Sequence, residues 1–257
     1  MTPLPRPGAH RADRRRAAAA PRRHAGRLLA APGSRSYLAA SLVVIAVACV
    51  RPPAPPVPVG PWAPMSEPAF AALAGRTVPA AAQLVRVRWH YDDGDREVSG
   101  RGAVRLAPPD SLRLDVAVPV VGRATVVLAG DSSWAEPEEA ANALPRSRDV
   151  LWALFGVIRR PEHGTSVEAG EAADRRLYRL TAPDGVVTVL ECRGDTLLGA
   201  TSSAAGRVTG RLVLRRDGTG AVAKAEATDV EHAARFVVEV QHREASEPFP
   251  AEIWRRP

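Results

Sequence analysis

The chain has 257 residues and a formal net charge of +7. Residues 1–48 contain nine arginines and one acidic residue, so they carry a charge of +8 and leave the rest of the chain at −1. A nucleic-acid-binding protein needs a basic patch on its folded domain, and this distribution of charge therefore argues against that function.

An apolar segment at residues 38–48 follows the basic region. It is too short to cross a bilayer, which takes about 20 residues, and it matches the hydrophobic region of a secretory signal. Residues 1–48 are therefore interpreted as a signal peptide. The arginines at residues 14–16 leave a twin-arginine signal open, and the long basic region also fits a translation start placed too far upstream.

The signal ends in Ala46-Val47-Ala48-Cys49, which resembles the lipobox of bacterial lipoproteins although Ala46 replaces the usual leucine. The resemblance implies that the Cys49 thiol carries a diacylglycerol, that cleavage occurs before Cys49, and that the new amine is acylated, as with palmitate. Val50 is not the aspartate that retains some lipoproteins at the inner membrane, which favours the outer membrane, facing the periplasm. The alternative is an ordinary cleaved signal in which Cys49 is incidental.

Seven prolines occur between Val50 and Pro64. Such a segment favours extended polyproline II, at about 3.1 Å per residue, and could hold a domain up to about 45 Å from its lipid. Residues 49–65 are therefore predicted to be a lipidated cysteine and a tether that does not fold onto the core. Cys192 is the only other cysteine and lies in an apolar run, so it is predicted to be buried and unreactive.

Residues 66–257 are long enough to form one domain with a core of its own. A helix is predicted at residues 66–75, with Ser66 at the N-cap and Gly75 at the end. Alternating apolar residues and turns then predict strands at residues 84–91, 96–107, 112–118, 124–129 and 132–135. Gly100 and Gly102 fall on the inward face of this sheet and predict a groove that a helix or ligand can approach.

Two short helices are predicted at residues 137–144 and 149–156, and the second is apolar enough to require burial. Strands then return at residues 176–182, 186–192, 196–202, 208–216, 221–228 and 234–242. The predicted fold is mostly β (α+β): one antiparallel sheet of ten or eleven strands. So large a sheet must curl, and we expect a half-barrel with a few helices closing an apolar cavity.

Four short phrases, at residues 100–102, 109–115, 128–131 and 248–253, resemble the LolA/LolB lipoprotein-localisation superfamily. They occur together with the lipidated cysteine, the tether and the order of helices and strands, and the resemblance covers residues 66–257. It implies a half-barrel that holds the acyl chains of lipoproteins or related lipids between the inner and outer membranes. Such a carrier is non-catalytic, has no cofactor, and is expected to be a monomer.

The inward faces of the first five strands supply the candidate cavity wall. These candidate lipid-binding residues are Val85, Val87, Trp89, Leu112, Leu114, Val116, Val126 and Leu128. The alternative is that the same side chains form a filled core. The resemblance to the LolB branch also implies that Val120 and Val121, in the loop after the third strand, enter the membrane during delivery. They could instead pack beneath the predicted helices.

Motifs for catalysis or metal binding are missing from the sequence, so no catalytic residue, metal ligand or cofactor is predicted. Asp92, Asp93 and Asp95 surround Gly94 but lack the spacing of a calcium loop, and a hairpin turn is the better interpretation. Two functions remain open. The first is a membrane-tethered carrier of lipids or lipoproteins, and the second is an envelope lipoprotein that binds or senses a protein partner through the same fold with a filled core.

Overall fold

A computed structural model describes residues 57–118, 122–130, 132–138 and 147–256. The signal peptide, Cys49, Val120 and Val121 lie outside the described residues, as does most of the predicted helix at residues 137–144. Neither α-helix in the described part of the chain is long and apolar enough to cross a membrane.

The described residues form thirteen strands, two α-helices and a terminal 3-10 helix. The strands are β1 (Ala63–Pro64), β2 (Gln83–Asp92), β3 (Glu97–Ala107), β4 (Ser111–Val118), β5 (Gly122–Ala129), β6 (Ser132–Glu136), β7 (Ser166–Ala172), β8 (Arg175–Thr181), β9 (Val187–Arg193), β10 (Thr196–Ala204), β11 (Arg207–Arg216), β12 (Val222–Asp229) and β13 (Ala234–Ala245). The helices are α1 (Glu67–Thr77), α2 (Arg148–Ala153) and the 3-10 helix (Ala251–Trp254).

All thirteen strands belong to one antiparallel sheet in the order β1-β7-β8-β9-β10-β11-β12-β13-β2-β3-β4-β5-β6. Two meanders, β2–β6 and β7–β13, are joined where β13 pairs with β2. The sheet is open and curled like half of a barrel. The predicted fold class is confirmed, with thirteen strands in place of ten or eleven.

Strands β1 and β7 account for the difference in strand number. β7 contains only two buried residues, Val167 and Gly170, so its sequence lacks the alternation of apolar and polar residues that marks a strand. β1 has two residues and lies inside the proline-rich segment. Neither strand therefore carries the pattern on which the sequence-based prediction depends.

Residues 57–65, which we call the edge arm, lie against β7. The backbone N–H groups of Val59 and Met65 donate to carbonyls of β7 at 2.8 and 2.9 Å. The Arg179 guanidinium lies 4.6 Å from the centre of a Trp62 ring. The prediction that the whole segment stays off the domain is therefore wrong for these residues. Pro64 does not prevent the pairing, because an edge strand tolerates a residue that has no N–H to donate.

Helices α1 and α2 pack against the concave face of the sheet. Phe70 of α1 is fully buried and meets Tyr178 of β8 edge-on, with 6.0 Å between ring centres. The end of α1 is tied to the segment after α2, since the Ile158 N–H donates to Thr77 Oγ1 at 2.8 Å. The apolar side chains of both helices and of the inward sheet face form one core. Burial of each large side chain stabilises the fold by about 1.5–3 kcal/mol.

The inward face at Gly100 is occupied, although the sequence predicted a groove there. A Cβ at Gly100 would overlap the carbonyl oxygen of Ala117 and lie 3.0 Å from the Trp89 ring. We therefore expect Gly100→Ala to lower the free energy of unfolding by about 1–3 kcal/mol. Thermal or urea unfolding measures this.

Gly75→Ala is the matched control, because an added Cβ on that exposed helical residue meets nothing within 4 Å. Alanine is favoured over glycine in helices by up to about 1 kcal/mol, so Gly75→Ala should leave stability unchanged or raise it. Equal unfolding midpoints for Gly100→Ala and the wild type would contradict this prediction. They would show that β3 and β4 can move apart to admit the methyl group without a loss of stability.

Candidate functional site

A cavity of about 480 Å³ opens at one end of the half-barrel, and we call it the end cavity. It is bounded by the start of α2, by the β2–β3 and β12–β13 turns, and by strands β10 to β13. Its volume falls within the range of small-molecule sites, about 300–1,000 Å³. Apolar side chains from four elements line its inner part: Tyr91, Val150, Ala227 and Phe236.

The eight predicted wall residues lie elsewhere on the concave face. Val116 is partly buried and the other seven are buried, and none of the eight lines the end cavity. Trp89 comes nearest through Phe236, with 6.5 Å between ring centres. In this structure six of the eight belong to the same buried core as side chains of α1 and α2, and Val116 packs against that core. Contact between these eight residues and a lipid stays a prediction.

Ser202 places one polar group in the wall of the end cavity. Its side chain is 6% exposed, and its Oγ has no hydrogen-bond partner among the described residues. A β-bulge at Ser202 and Ser203 interrupts the pairing of β10 with β11 at this point, and such bulges redirect side chains. A buried hydroxyl without a partner costs on the order of 1–3 kcal/mol, so this position weakens the fold beside the cavity.

Charged residues form the rim of the end cavity. Asp229 Oδ1 accepts hydrogen bonds from the N–H groups of Glu231 and His232, at 3.0 and 3.1 Å, and Oδ2 lies 2.9 Å from His232 Nδ1. Burial raises the pKa of Asp229, but the bonds from the backbone and imidazole of His232 outweigh burial and lower the pKa below its ordinary value. Although Asp229, Glu231 and His232 could share a metal ion, closing the turn already explains the cluster.

The β2–β3 turn completes the rim. Asp92 accepts a hydrogen bond from the Gly94 N–H at 2.9 Å, and Asp93 accepts one from the Arg96 N–H at 2.7 Å. These carboxylates therefore close the turn, as expected for a hairpin. Burial, followed by the charge of Asp93 and a hydrogen bond to its carboxylate, raises the pKa of Tyr91, so the hydroxyl remains protonated and is already bonded to Asp93 at the cavity mouth.

Cys192 lies inside the core and is fully buried, as the sequence predicted. Burial raises the pKa of its thiol to about 12, although the nearby Arg216 acts in the opposite direction. The reactive form of cysteine is the thiolate, so Cys192 is inert at neutral pH.

No protein-family model matches the sequence, and no curated protein does. Two solved structures share its fold, each with a TM-score of 0.51. One is a LolA superfamily protein of Nitrosomonas europaea, which is 14% identical and matches over 75% of this chain and 98% of its own. The other, from Vibrio parahaemolyticus, is a domain named for outer membrane lipoprotein sorting. It is 6% identical and matches over 72% of this chain and 94% of its own.

The chain has a LolA-like fold. The fold implied by the four short phrases is thereby confirmed. Identities this low show the fold alone.

The end cavity of the LolA-like domain was not predicted from the sequence, because the predicted wall residues all lie in the first meander. A usable signal was present in the second meander, where small residues occupy inward positions on three neighbouring strands. These are Ser202 on β10, Gly210 on β11 and Ala227 on β12. Small inward side chains on adjacent strands leave space that the facing helix must fill or leave open.

Proposed function

We propose that this protein is a non-catalytic, membrane-tethered carrier that holds an acyl chain of a lipid or lipoprotein in the end cavity during transport in the cell envelope. The observation that carries the proposal is a cavity of about 480 Å³ that opens onto the concave face of a LolA-like half-barrel. Buried apolar side chains in its wall suit an alkyl chain, and the charged rim suits the polar part of an amphiphile.

The proposed location is the outer membrane, facing the periplasm, with the lipid on Cys49 as the anchor. The apolar segment before Cys49 and the prolines after it support this location. A structural neighbour named for outer membrane lipoprotein sorting is consistent with it.

The proposed membrane-contact residues are Val120 and Val121. Their place in the sequence supports the proposal, because they fall between Val118 and Gly122, the last residues that pair β4 with β5. Exposed apolar side chains are costly in water and are stabilised in a bilayer.

The second candidate function is a protein-binding or sensory lipoprotein with a filled core. The burial of seven of the eight predicted wall residues favours this alternative. In that case the end cavity would contain water, and an envelope protein would bind the outside of the domain.

Native mass spectrometry distinguishes the two functions. The protein is produced from residue 49 onwards with Cys49→Ser, so that it carries no lipid of its own, and the edge arm is kept because it pairs with β7. We expect the intact protein to carry a co-purifying lipid that is released on unfolding and that exchanges with added palmitate or phospholipid. Absence of both a co-purifying and an exchangeable lipid would contradict the carrier and support the partner-binding alternative.

A further inference from the structure

A row of charged side chains crosses four neighbouring strands on the outer face of the sheet. Lys224 of β12 lies opposite Glu239 of β13, Glu239 lies opposite Arg88 of β2, and Arg88 lies opposite Arg101 of β3. The row therefore ends in two arginines that are direct cross-strand neighbours. Like charges in that position destabilise an antiparallel pair, so this arrangement requires an explanation.

The carboxylates near this row are already engaged by other cations. Glu239 accepts a bond from Lys224 Nζ at 2.8 Å, and Glu226 accepts two bonds of 2.8 Å from Arg235. The hydrogen bond and charge of Lys224 lower the pKa of Glu239, and the more distant charge of Arg88 adds a smaller effect in the same direction. Neither Arg88 nor Arg101 forms an ion pair or a side-chain hydrogen bond with a described residue. Two arginines at directly paired positions therefore have guanidinium donors that no described side chain occupies.

The two arginines line a groove of about 460 Å³ that shares one lining residue, Arg235, with the end cavity. Its other charged residues are Lys224, Arg235 and Glu239, and Ser99 and His90 add polar groups. Cations outnumber carboxylates in this groove by four to one. The groove is therefore concave, basic and incompletely neutralised.

We infer that this groove binds the phosphate group of an anionic phospholipid headgroup. A guanidinium offers a planar fork of N–H donors, and a phosphate has enough oxygens to accept from two forks at once. A bound phosphate would place negative charge between Arg88 and Arg101 and remove their repulsion. The choice of a headgroup over free phosphate rests on the proposed membrane tether, whereas the anion site itself does not depend on the end cavity.

Arg101→Glu tests the inference, because it separates binding from folding. The new carboxylate would face Arg88 and replace a like-charge pair with an opposite-charge pair, so the melting temperature should stay the same or rise. The protein that carries only Cys49→Ser, which serves as the wild type here, should sediment with vesicles of phosphatidylcholine and phosphatidylglycerol. It should sediment less with vesicles of phosphatidylcholine alone. Arg101→Glu should weaken this binding by about tenfold or more.

Arg86→Glu is the matched control, because it makes the same change of charge on the outward face of β2 but lies outside the groove. It should retain most of the vesicle binding. Equal losses in the two variants, or no preference of the wild type for phosphatidylglycerol, would overturn the inference. If inorganic phosphate stabilises the wild type but not Arg101→Glu, and vesicles do not bind, the groove takes free phosphate and the headgroup assignment is wrong.

Discussion

Cys49→Ala is expected to remove the protein from the outer membrane. The thiol is the only group on the chain to which the lipobox resemblance assigns a diacylglycerol, and alanine cannot form the thioether. Stable anchoring takes more than one acyl chain, since a single chain gives only marginal, reversible binding. The variant should therefore remain in the inner membrane with its signal uncut, or be released, as measured by membrane fractionation and by the mass of the mature protein.

Cys192→Ala is the control for this experiment, because Cys192 is the only other cysteine and is fully buried. Its replacement should leave the location and the attached lipid unchanged. If Cys49→Ala fractionated with the outer membrane as the wild type does, lipidation at Cys49 would be refuted, and an ordinary cleaved signal would take its place.

Gly210→Phe is expected to fill the end cavity and prevent lipid uptake. Gly210 lies on β11 beside Ser202, and an added Cβ would make only ordinary contacts, at 3.7 Å to the Thr228 carbonyl oxygen and 3.8 Å to Ser202 Cβ. A phenyl ring could therefore enter the cavity without displacing the backbone. We expect the affinity for a fluorescent fatty acid to fall by about tenfold or more, with little change in melting temperature.

Val213→Phe is the matched control for the filled cavity. Val213 lies on the same strand but is 48% exposed, so the added ring would point away from the concave face. Fatty-acid binding should survive in this variant. If Gly210→Phe bound the fatty acid as tightly as the wild type, the acyl chain would have to lie elsewhere, such as against the predicted wall with α1 or α2 displaced.

Most of the sheet could be predicted from the sequence, because one face of each central strand is buried. In β2 the apolar residues Val85, Val87 and Trp89 alternate with exposed arginines, and this pattern determines both the strand and its inward face. The edge strands differ. β1 forms only by pairing with β7, a long-range contact that leaves no periodic signal in the sequence, whereas β7 pairs with β8 along its whole length but has only two buried residues.

The candidate site was harder to predict for a physical reason. The sequence correctly assigned Leu112 and Leu114 to the inward face, but the same alternation is expected whether an inward side chain lines a void or packs in a core. The difference depends on where α1 and α2 lie on the sheet. The open space occurs next to Gly210 and Ala227, where the inward side chains are small.

The edge arm limits how far the domain can move. If Cys49 carries the lipid, only the seven residues 50–56 separate the anchor from the edge arm, because the rest of the proline-rich segment lies against β7. As extended polyproline II, the stretch from Cys49 to Val57 would span about 25 Å, compared with about 45 Å for the whole segment. The domain would thus search a small hemisphere centred on its anchor, which raises its local concentration at the bilayer surface and confines exchange of cargo to that surface.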